Sequence, residues 1–506
     1  VIHAKRGRPI RLDDSTRILS LEESEAIARR VRAFAKGGGF TGVSVMSWWN
    51  GELRWARNRV SLAGDRRDTV VSVSRSINGV GGSTGTNQLD DASLEAAVRH
   101  AEQEARFGNP GIQARIARSE AASTTDAEGG ETPADAAAIA PDSSAVSPSP
   151  SPPRFEYAKT TIWSQATHDF DAESRGKMAR TLVEPVETAS MLSAGYLEMR
   201  AAGIAFINEG SRPLYAACTQ AQCSTTVRDP KGTGSGWAGL SSYDWAAIDA
   251  PTLAARALDK CERSRNPVAL EPGRYTVILE PQAVCDLVSL IVVALARQMA
   301  EGPTQVSPFW LRAGQSKLGL KVIDERVTID HDPSDPALGV IPFSYFPVGE
   351  PYRSVRWIDR GVLANLATDQ RYTVPGLNER LGYPNSQAYR MSGGSTSVEE
   401  MIKTTKRGLL VTRFSNIRVL DGASLLCTGL TRDGLWLIEN GAITKPVKNF
   451  RFTESPLFML NSIEQLGIPV PVFRPVKDPR DVSLTPTIVP AVKSRDFSFT
   501  AMIDAV

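Results

Sequence analysis

The sequence predicts an α+β protein. It comprises an N-terminal mixed sheet with helices and a C-terminal strand-rich antiparallel domain with a central buried helix. Three observations support this. Amphipathic helix patterns flank alternating strand patterns in the first part of the chain, so helices cover one face of a sheet. Beyond about residue 190 the pattern shifts to successive strands joined by short turns. One apolar run interrupts them: Leu287 to Ala296, ten residues without a charge, reads as a helix buried on nearly all sides.

Element by element, "SLEESEAIARRVRAFA" opens with Ser20 and Glu23 at capping-box spacing and places Ile27, Val31 and Phe34 on one helical face. "TGVSVMSWWNGELRWARNRVS" is two alternating segments around Asn50-Gly51, a dipeptide that favours a tight hairpin. A strand in "DTVVSVSRSI" and a helix in "DDASLEAAVRHAEQEARF" follow, the latter with Leu94, Val98 and Ala101 at helical spacing. Residues 119–154 collapse into Ala, Ser, Pro, Asp, Glu and Thr. That composition buries too little apolar surface to offset its ordering entropy, so the stretch reads as a disordered insertion. A helix pattern in "SRGKMARTLVEPV" resumes after it, and the N-terminal domain is placed at 16–196.

The C-terminal domain is placed at 197–476 and a tail at 477–506. A helix in "DAPTLAARALDKCERS" precedes "EPGRYTVILEPQAVCDLVSLIVVALARQMAEG", a strand, a turn and the apolar helix. Strand patterns recur in "GLKVIDERVTID", "RGLLVTRFSNIRVL" and "GLWLIENGAITKPVKNFRFT". A further helix begins in "STSVEEMIKTTKRG", capped by Ser397 with Glu400 three residues on and stopped by Gly408.

Composition narrows the function. A net charge of +2 over 506 residues gives no concentrated basic face for nucleic acid. Five cysteines, at 218, 223, 261, 285 and 427, are too sparse and odd for a disulfide framework and point to a reducing compartment, the cytoplasm. The chain opens at Val1 without a methionine, which leaves room for a removed leader. The longest apolar run falls short of the roughly 20 residues a membrane helix needs, so no membrane partner is expected.

Candidate chemistry is thin. The histidines are His3, His100, His168 and His331, no two within a helical turn, so no metal site is assigned. "IDHDPSD" around His331 reads as a solvated turn ended by Pro333. Ser83 in "GGSTG" fits a nucleophile-elbow pattern, but a helix does not follow at once, which favours a glycine-rich turn. "GSGWAG" at 234–239 formally fits a dinucleotide fingerprint and, without a convincing preceding strand, reads as a loop. Cys285, beside Asp286 at a helix start, could be an activated thiolate. Its flanks, Val284 and Leu287, favour buried packing, and Cys427 reads the same way.

Five segments together resemble the TldD/PmbA family. They are "NQLDDASLEAAVRHAEQEAR", "GIAFINEGSRPLYAACT", "LEPGRYTVILEPQAVCDLV", "SGGSTSVEEMIKTTKRGLLVTRF" and "GLWLIENGAITKPVKNFRF". Active members form a two-subunit zinc metallopeptidase. The TldD side carries His-Glu-x-x-x-His on the helix after the "VILEP"-like strand and a cysteine ligand near the C-terminus. Here that helix has no histidine, and no cysteine follows Cys427. The resemblance is therefore to the PmbA (TldE-like) side. It implies a non-catalytic subunit of a TldD/TldE-type complex acting on unfolded peptides, with zinc only in a TldD-type partner and no cofactor in this chain. Two alternatives remain: a self-sufficient hydrolase using Ser83 or Cys285, and a homo-oligomeric binding protein without enzymatic activity. No catalytic residue is assigned.

Overall fold

The computed structural model describes residues 18–78, 80–107, 157, 162–343, 351–367, 388–476 and 485–503. The expected insertion at 119–154 and His3 lie outside the described residues. Two compact units are present, one formed by residues 1–49, 67–155 and 202–217, the other by 50–66, 156–201 and 218–506.

In the first unit, helix α1 (Leu21–Phe34) starts where the sequence places it. Ser20 Oγ accepts from the Glu23 amide at 3.2 Å and the Glu23 carboxylate accepts from the Ser20 amide at 2.7 Å, a reciprocal capping box. Strands β1 (Phe40–Ala56), β2 (Arg59–Ile77) and β3 (Val80–Thr86) and helix α2 (Asp91–Phe107) follow. Ile27 and Val31 of α1, Leu94 and Val98 of α2, and Val43, Val45, Val71 and Val73 of the strands make one buried cluster. The expected hairpin turn at Asn50-Gly51 is not there. Strand β1 runs straight through it and the chain reverses at Arg57-Asn58, both with positive φ (50° and 64°). In the second unit, the Asn58 side chain fixes that turn: Nδ2 donates to Met191 O at 2.8 Å, and Oδ1 accepts from the Ser193 amide at 2.5 Å and hydroxyl at 2.9 Å. Asn-Gly lost because a strand buried at Gly51 and Leu53 outweighs a local turn preference. Asn58→Ala should lower stability by about 2 kcal/mol in urea titration, since it removes three hydrogen bonds and disfavours the left-handed backbone. Asn58→Gly, which keeps that backbone open, should lose less.

Helices α3 (Gln165–His168) and α4 (Ala172–Thr188), strands β4 (Leu192–Asn208), β5 (Leu214–Arg228) and β6 (Ser235–Ser242), and helix α5 (Ala250–Arg263) follow. The sheet order is β3-β2-β1-β4-β5-β6. The chain thus runs helix, three strands, helix twice over, once as α1 to α2 and once as α4 to α5. In each pass the third strand carries a glycine against the helix that follows. A Cβ on Gly82 of β3 would lie 2.3 Å from Ala101 O and 2.6 Å from Ala105 N of α2. One on Gly236 of β6 would lie 2.1 Å from Ala257 O and 2.5 Å from Cys261 N of α5. "GGSTG" and "GSGWAG", expected as a turn and a loop, are therefore strands whose glycines let a helix backbone approach.

The rest of the second unit is built on two sheets. In one, the strands run in the order Arg407–Asp421, Gly273–Leu279 (β7), Val492–Met502, Phe450–Glu454, Leu426–Glu439 and Ala442–Pro446. Arg407–Asp421 also pairs with Leu426–Glu439, so the sheet closes on itself. Strand Val492–Met502, from the stretch read as a tail, pairs with β7 and with Phe450–Glu454 in the interior of this sheet. Most pairings are antiparallel; β7 with Arg407–Asp421 is parallel. The second sheet has the order Val362–Leu363, Val355–Asp359, Ile329–His331, Tyr389–Met391, Thr487–Val489, Val470–Pro471.

The apolar helix α6 (Pro281–Ala294) follows β7 directly. It buries Val284, Leu287, Val288, Ile291 and Val292 in a cluster with Phe414, Phe452, Phe497 and Trp357. Burial is not all round, however: Val293 is 59% exposed, on the face that also carries Gln282, Asp286 and Ser289. The capped helix after Ser397 ends at Lys403, earlier than expected, with Thr404 hydroxyl bonds to Glu400 O and Met401 O at its C-terminus, and Gly408 lies in a strand. "GLKVIDERVTID" yields only the short strand Ile329–His331.

Candidate functional site

The polar face of α6 follows from its spacing. Gln282, Asp286 and Ser289 stand at i, i+4 and i+7, one stripe of a helix whose other sides are apolar. Residues Val472 to Arg474 run along that stripe. Gln282 grips the backbone of Phe473 at both ends, Oε1 accepting from its amide at 3.1 Å and Nε2 donating to its carbonyl at 3.4 Å. Gln282 Nε2 also donates to Asp286 Oδ1 at 3.1 Å, and the Phe414 amide donates to Asp286 Oδ2 at 2.9 Å. Burial pushes the Asp286 carboxyl up from 3.8 to about 6 despite those two hydrogen bonds.

Arg474 joins the helix to the edge strand β6. Its Nη1 donates to Ser289 Oγ at 2.6 Å, and its amide donates to Ser241 Oγ at 2.9 Å. The Ser289 hydroxyl donates to Cys285 O at 2.7 Å and lies 3.1 Å from the hydroxyl of Tyr389, a fully buried residue whose pKa burial drives well up. Beside Arg474 lies a cleft of about 400 Å³, walled by Leu240, Val472 and Ile488 and edged by Gln220, Ser241 and Thr487. Gln220 belongs to a polar patch of the sheet. Arg200 Nη1 donates to its Oε1 at 3.3 Å, and Tyr196 OH donates to Gln222 Oε1 at 3.4 Å. Burial raises the neighbouring Glu198 carboxyl, partly offset by the Arg200 charge.

The sequence-derived candidates do not come together here. Ser83 sits inside β3, its amide donating to Glu104 at 3.0 Å, and its hydroxyl has no histidine partner among the described residues. A residue within a regular strand lacks the strained strand-to-helix turn that exposes an elbow serine. Cys285 is buried, and burial raises its pKa, opposite to what an activated thiolate needs. Cys427 is buried too, its thiol donating to Glu454 O at 3.1 Å and its pKa pushed up to about 12. His331, expected on a solvated turn, is fully buried in a strand. Its Nδ1 donates to Ala388 O at 2.8 Å, and burial lowers its pKa. Three flanking carboxylates made that segment look wet, but alternation turns the ring inward while Asp332 caps the loop through Ser334 and Ser354.

The resemblance places zinc ligands on the helix that corresponds to α6, and the residues there do not fit zinc. Ser289, which lies beside Tyr389 and Cys285, accepts from the Arg474 guanidinium, a fixed cation that opposes a second one, and hydroxyls are poorer zinc ligands than imidazoles and carboxylates. Among the described residues no three His, Cys, Asp or Glu side chains cluster closely enough to hold a metal ion. Nor is any described helix long and apolar enough to cross a membrane. Arg474, Ser241 and Tyr389 had no sequence signal. The Gln282–Asp286–Ser289 stripe did, as the polar positions at helical spacing in an otherwise apolar segment.

The second unit thus has a closed, mostly antiparallel sheet packed on an apolar helix, a second sheet and a small cleft, and neither Ser83 nor Cys285 meets a histidine among the described residues. Residues 272–501 match the family described as PmbA/TldA metallopeptidase C-terminal domain. The fold extends the likeness to almost the whole chain. TldE from Thermococcus kodakarensis superposes with a TM-score of 0.70 at 15% identity, covering 94% of this chain and 99% of that one. A candidate modulator of a DNA gyrase from Thermotoga maritima gives 0.69 at 16%, covering 94% and 100%. A candidate modulator of DNA gyrase from Bacteroides thetaiotaomicron gives 0.69 at 17%, covering 95% and 100%. No curated protein matches the chain in sequence.

Proposed function

We propose that the chain is a TldE/PmbA-like subunit of a TldD/TldE-type metallopeptidase, non-catalytic itself, that helps hold unfolded peptide while a TldD-type partner supplies zinc and cleavage. What supports this reading is the fold of TldE together with an apolar helix α6 that carries no histidine and whose Ser289 meets Arg474 and Tyr389. Guanidinium and hydroxyls bind and orient; with Arg474 fixed in its charged form, none of them is poised to take a proton from water. Gln282 already holds the backbone of Phe473 by both its amide and its carbonyl. That arrangement supports a role in holding main chain rather than side chains, as strand-addition sites do.

Co-expression with a TldD-type chain carrying His-Glu-x-x-x-His is the test. The two chains should co-elute on size exclusion, and an unfolded peptide should be cleaved by the pair and not by this chain alone. A chain that elutes without the partner, or one that cleaves peptide by itself and loses the activity on Cys285→Ala or Ser83→Ala, overturns the reading. A self-associated chain inert under all conditions would mark a homo-oligomeric binding protein instead.

A further inference from the structure

We propose that the cleft beside Arg474 is a carboxylate-binding site, and that its ligand is the C-terminal carboxylate of a bound peptide ending in an apolar residue. The proposal rests on the peptide-holding reading above. Among the described residues lining the cleft, Arg474 is the one charged side chain and none is acidic. Among the described residues its guanidinium makes one hydrogen bond, from Nη1 to Ser289 Oγ, which fixes it in place. Neither Nε nor Nη2 is both buried and unpaired. Asp286 feels the Arg474 charge but forms no ion pair with it, being held by Gln282 and the Phe414 amide. A partly buried guanidinium with a single hydrogen bond among the described residues, in a cleft whose described lining holds no carboxylate, is matched by a planar, bidentate anion.

The walls define the rest of the ligand. Leu240, Val472, Ile488, Pro471 and Pro486 are apolar, and Ser241, Ser242 and Thr487 are the hydroxyl residues of the lining. The volume, about 400 Å³, lies in the range of small-ligand pockets, roughly 300–1,000 Å³, and suits a terminal residue or two rather than a folded partner. β6 is the outermost strand of its sheet, so a peptide lying along it could bring its end to Arg474.

The test uses the full chain and a fluorescein-labelled, acid-free peptide ending in leucine, with a free C-terminus or as its C-terminal amide, read by fluorescence anisotropy. The free acid should bind about tenfold more tightly than the amide, the loss expected when a charge-assisted hydrogen-bond pair is removed. Arg474→Gln should abolish the difference with the far-ultraviolet spectrum unchanged. Should that variant fail to fold, Arg474→Lys carries the test: it keeps the charge, loses the fork, and should shrink the difference several-fold. Equal binding of acid and amide overturns the carboxylate site and leaves peptide holding intact. If neither peptide binds but N-acetyl-leucine, and not its amide, raises the melting temperature of the wild type and not of Arg474→Gln, the site takes a small carboxylate and the peptide reading fails. No response to peptide or to the small acid overturns this proposal.

Discussion

Gly236→Val should destabilise the second unit by about 3 kcal/mol or more, with a matching drop in the urea midpoint at unchanged slope. The added side chain would land on a helix hydrogen bond. Its Cβ would sit 2.1 Å from Ala257 O and 2.5 Å from Cys261 N, the acceptor and donor of one α5 turn, with Lys260 Cβ at 2.8 Å. Backbone atoms cannot swing aside as a flexible side chain would, so α5 must lift off β6. That would also strain Ser264 Oγ, which donates to Ser235 O at 2.9 Å. Gly176→Ala is the control. This glycine lies exposed within α4 with nothing within 4 Å of the added carbon, and the change should stabilise by about 0.5–1 kcal/mol, the difference in helix propensity. Similar losses at both positions would mean that the close approach at β6 is not what the glycine serves.

Asp286→Asn should stabilise the chain at pH 8 by on the order of 2 kcal/mol and should do little at pH 4. The carboxyl rises from 3.8 to about 6 on folding because burial disfavours its charge. A carboxyl with a raised folded pKa binds more protons in the native state than in the unfolded one between those two values. Native stability therefore falls as pH climbs from about 4 to 6, and the full penalty persists above that window. Asparagine keeps an acceptor for the Phe414 amide without the charge. Urea titrations of both proteins between pH 4 and 8 give the difference directly, and other titrating groups common to the two cancel. A pH-independent difference would place the Asp286 carboxyl in an environment as wet as an ordinary surface acid.

Several features were legible from residues alone. The two capping boxes, Ser20 with Glu23 and Ser397 with Glu400, form as spaced, because a cap is satisfied within four residues. Helix α2 and the strand-turn-helix at 273–294 also fall where their periodicities put them. Local signals failed where a distant partner set the outcome. Asn50-Gly51 yielded to a continuous strand, and the tail residues Val492–Met502 became an interior strand of the closed sheet. The glycines of "GGSTG" and "GSGWAG" suggested an elbow or a turn and a dinucleotide fingerprint or a loop, since glycine permits all of these; only the helix backbones stacked on them reveal the steric reason. The same holds for the candidate site. Ser289 and Gln282 were visible as polar positions in an apolar helix, whereas Arg474 is 185 residues from Ser289 and meets it only through the fold.

The sequence by itself determined the α+β class, the principal helices with their caps, and the absence of a histidine pair on the apolar helix, because each depends on periodicity or residue identity over one or two turns. Only the tertiary structure decided which faces of that helix are buried, why the glycine-rich strands exist, and that the Arg474 guanidinium meets the Ser289 hydroxyl on that helix. Burial, close approach and charge pairing are properties of residues far apart in the chain. The short-range free energies that fix local elements carry no information about them.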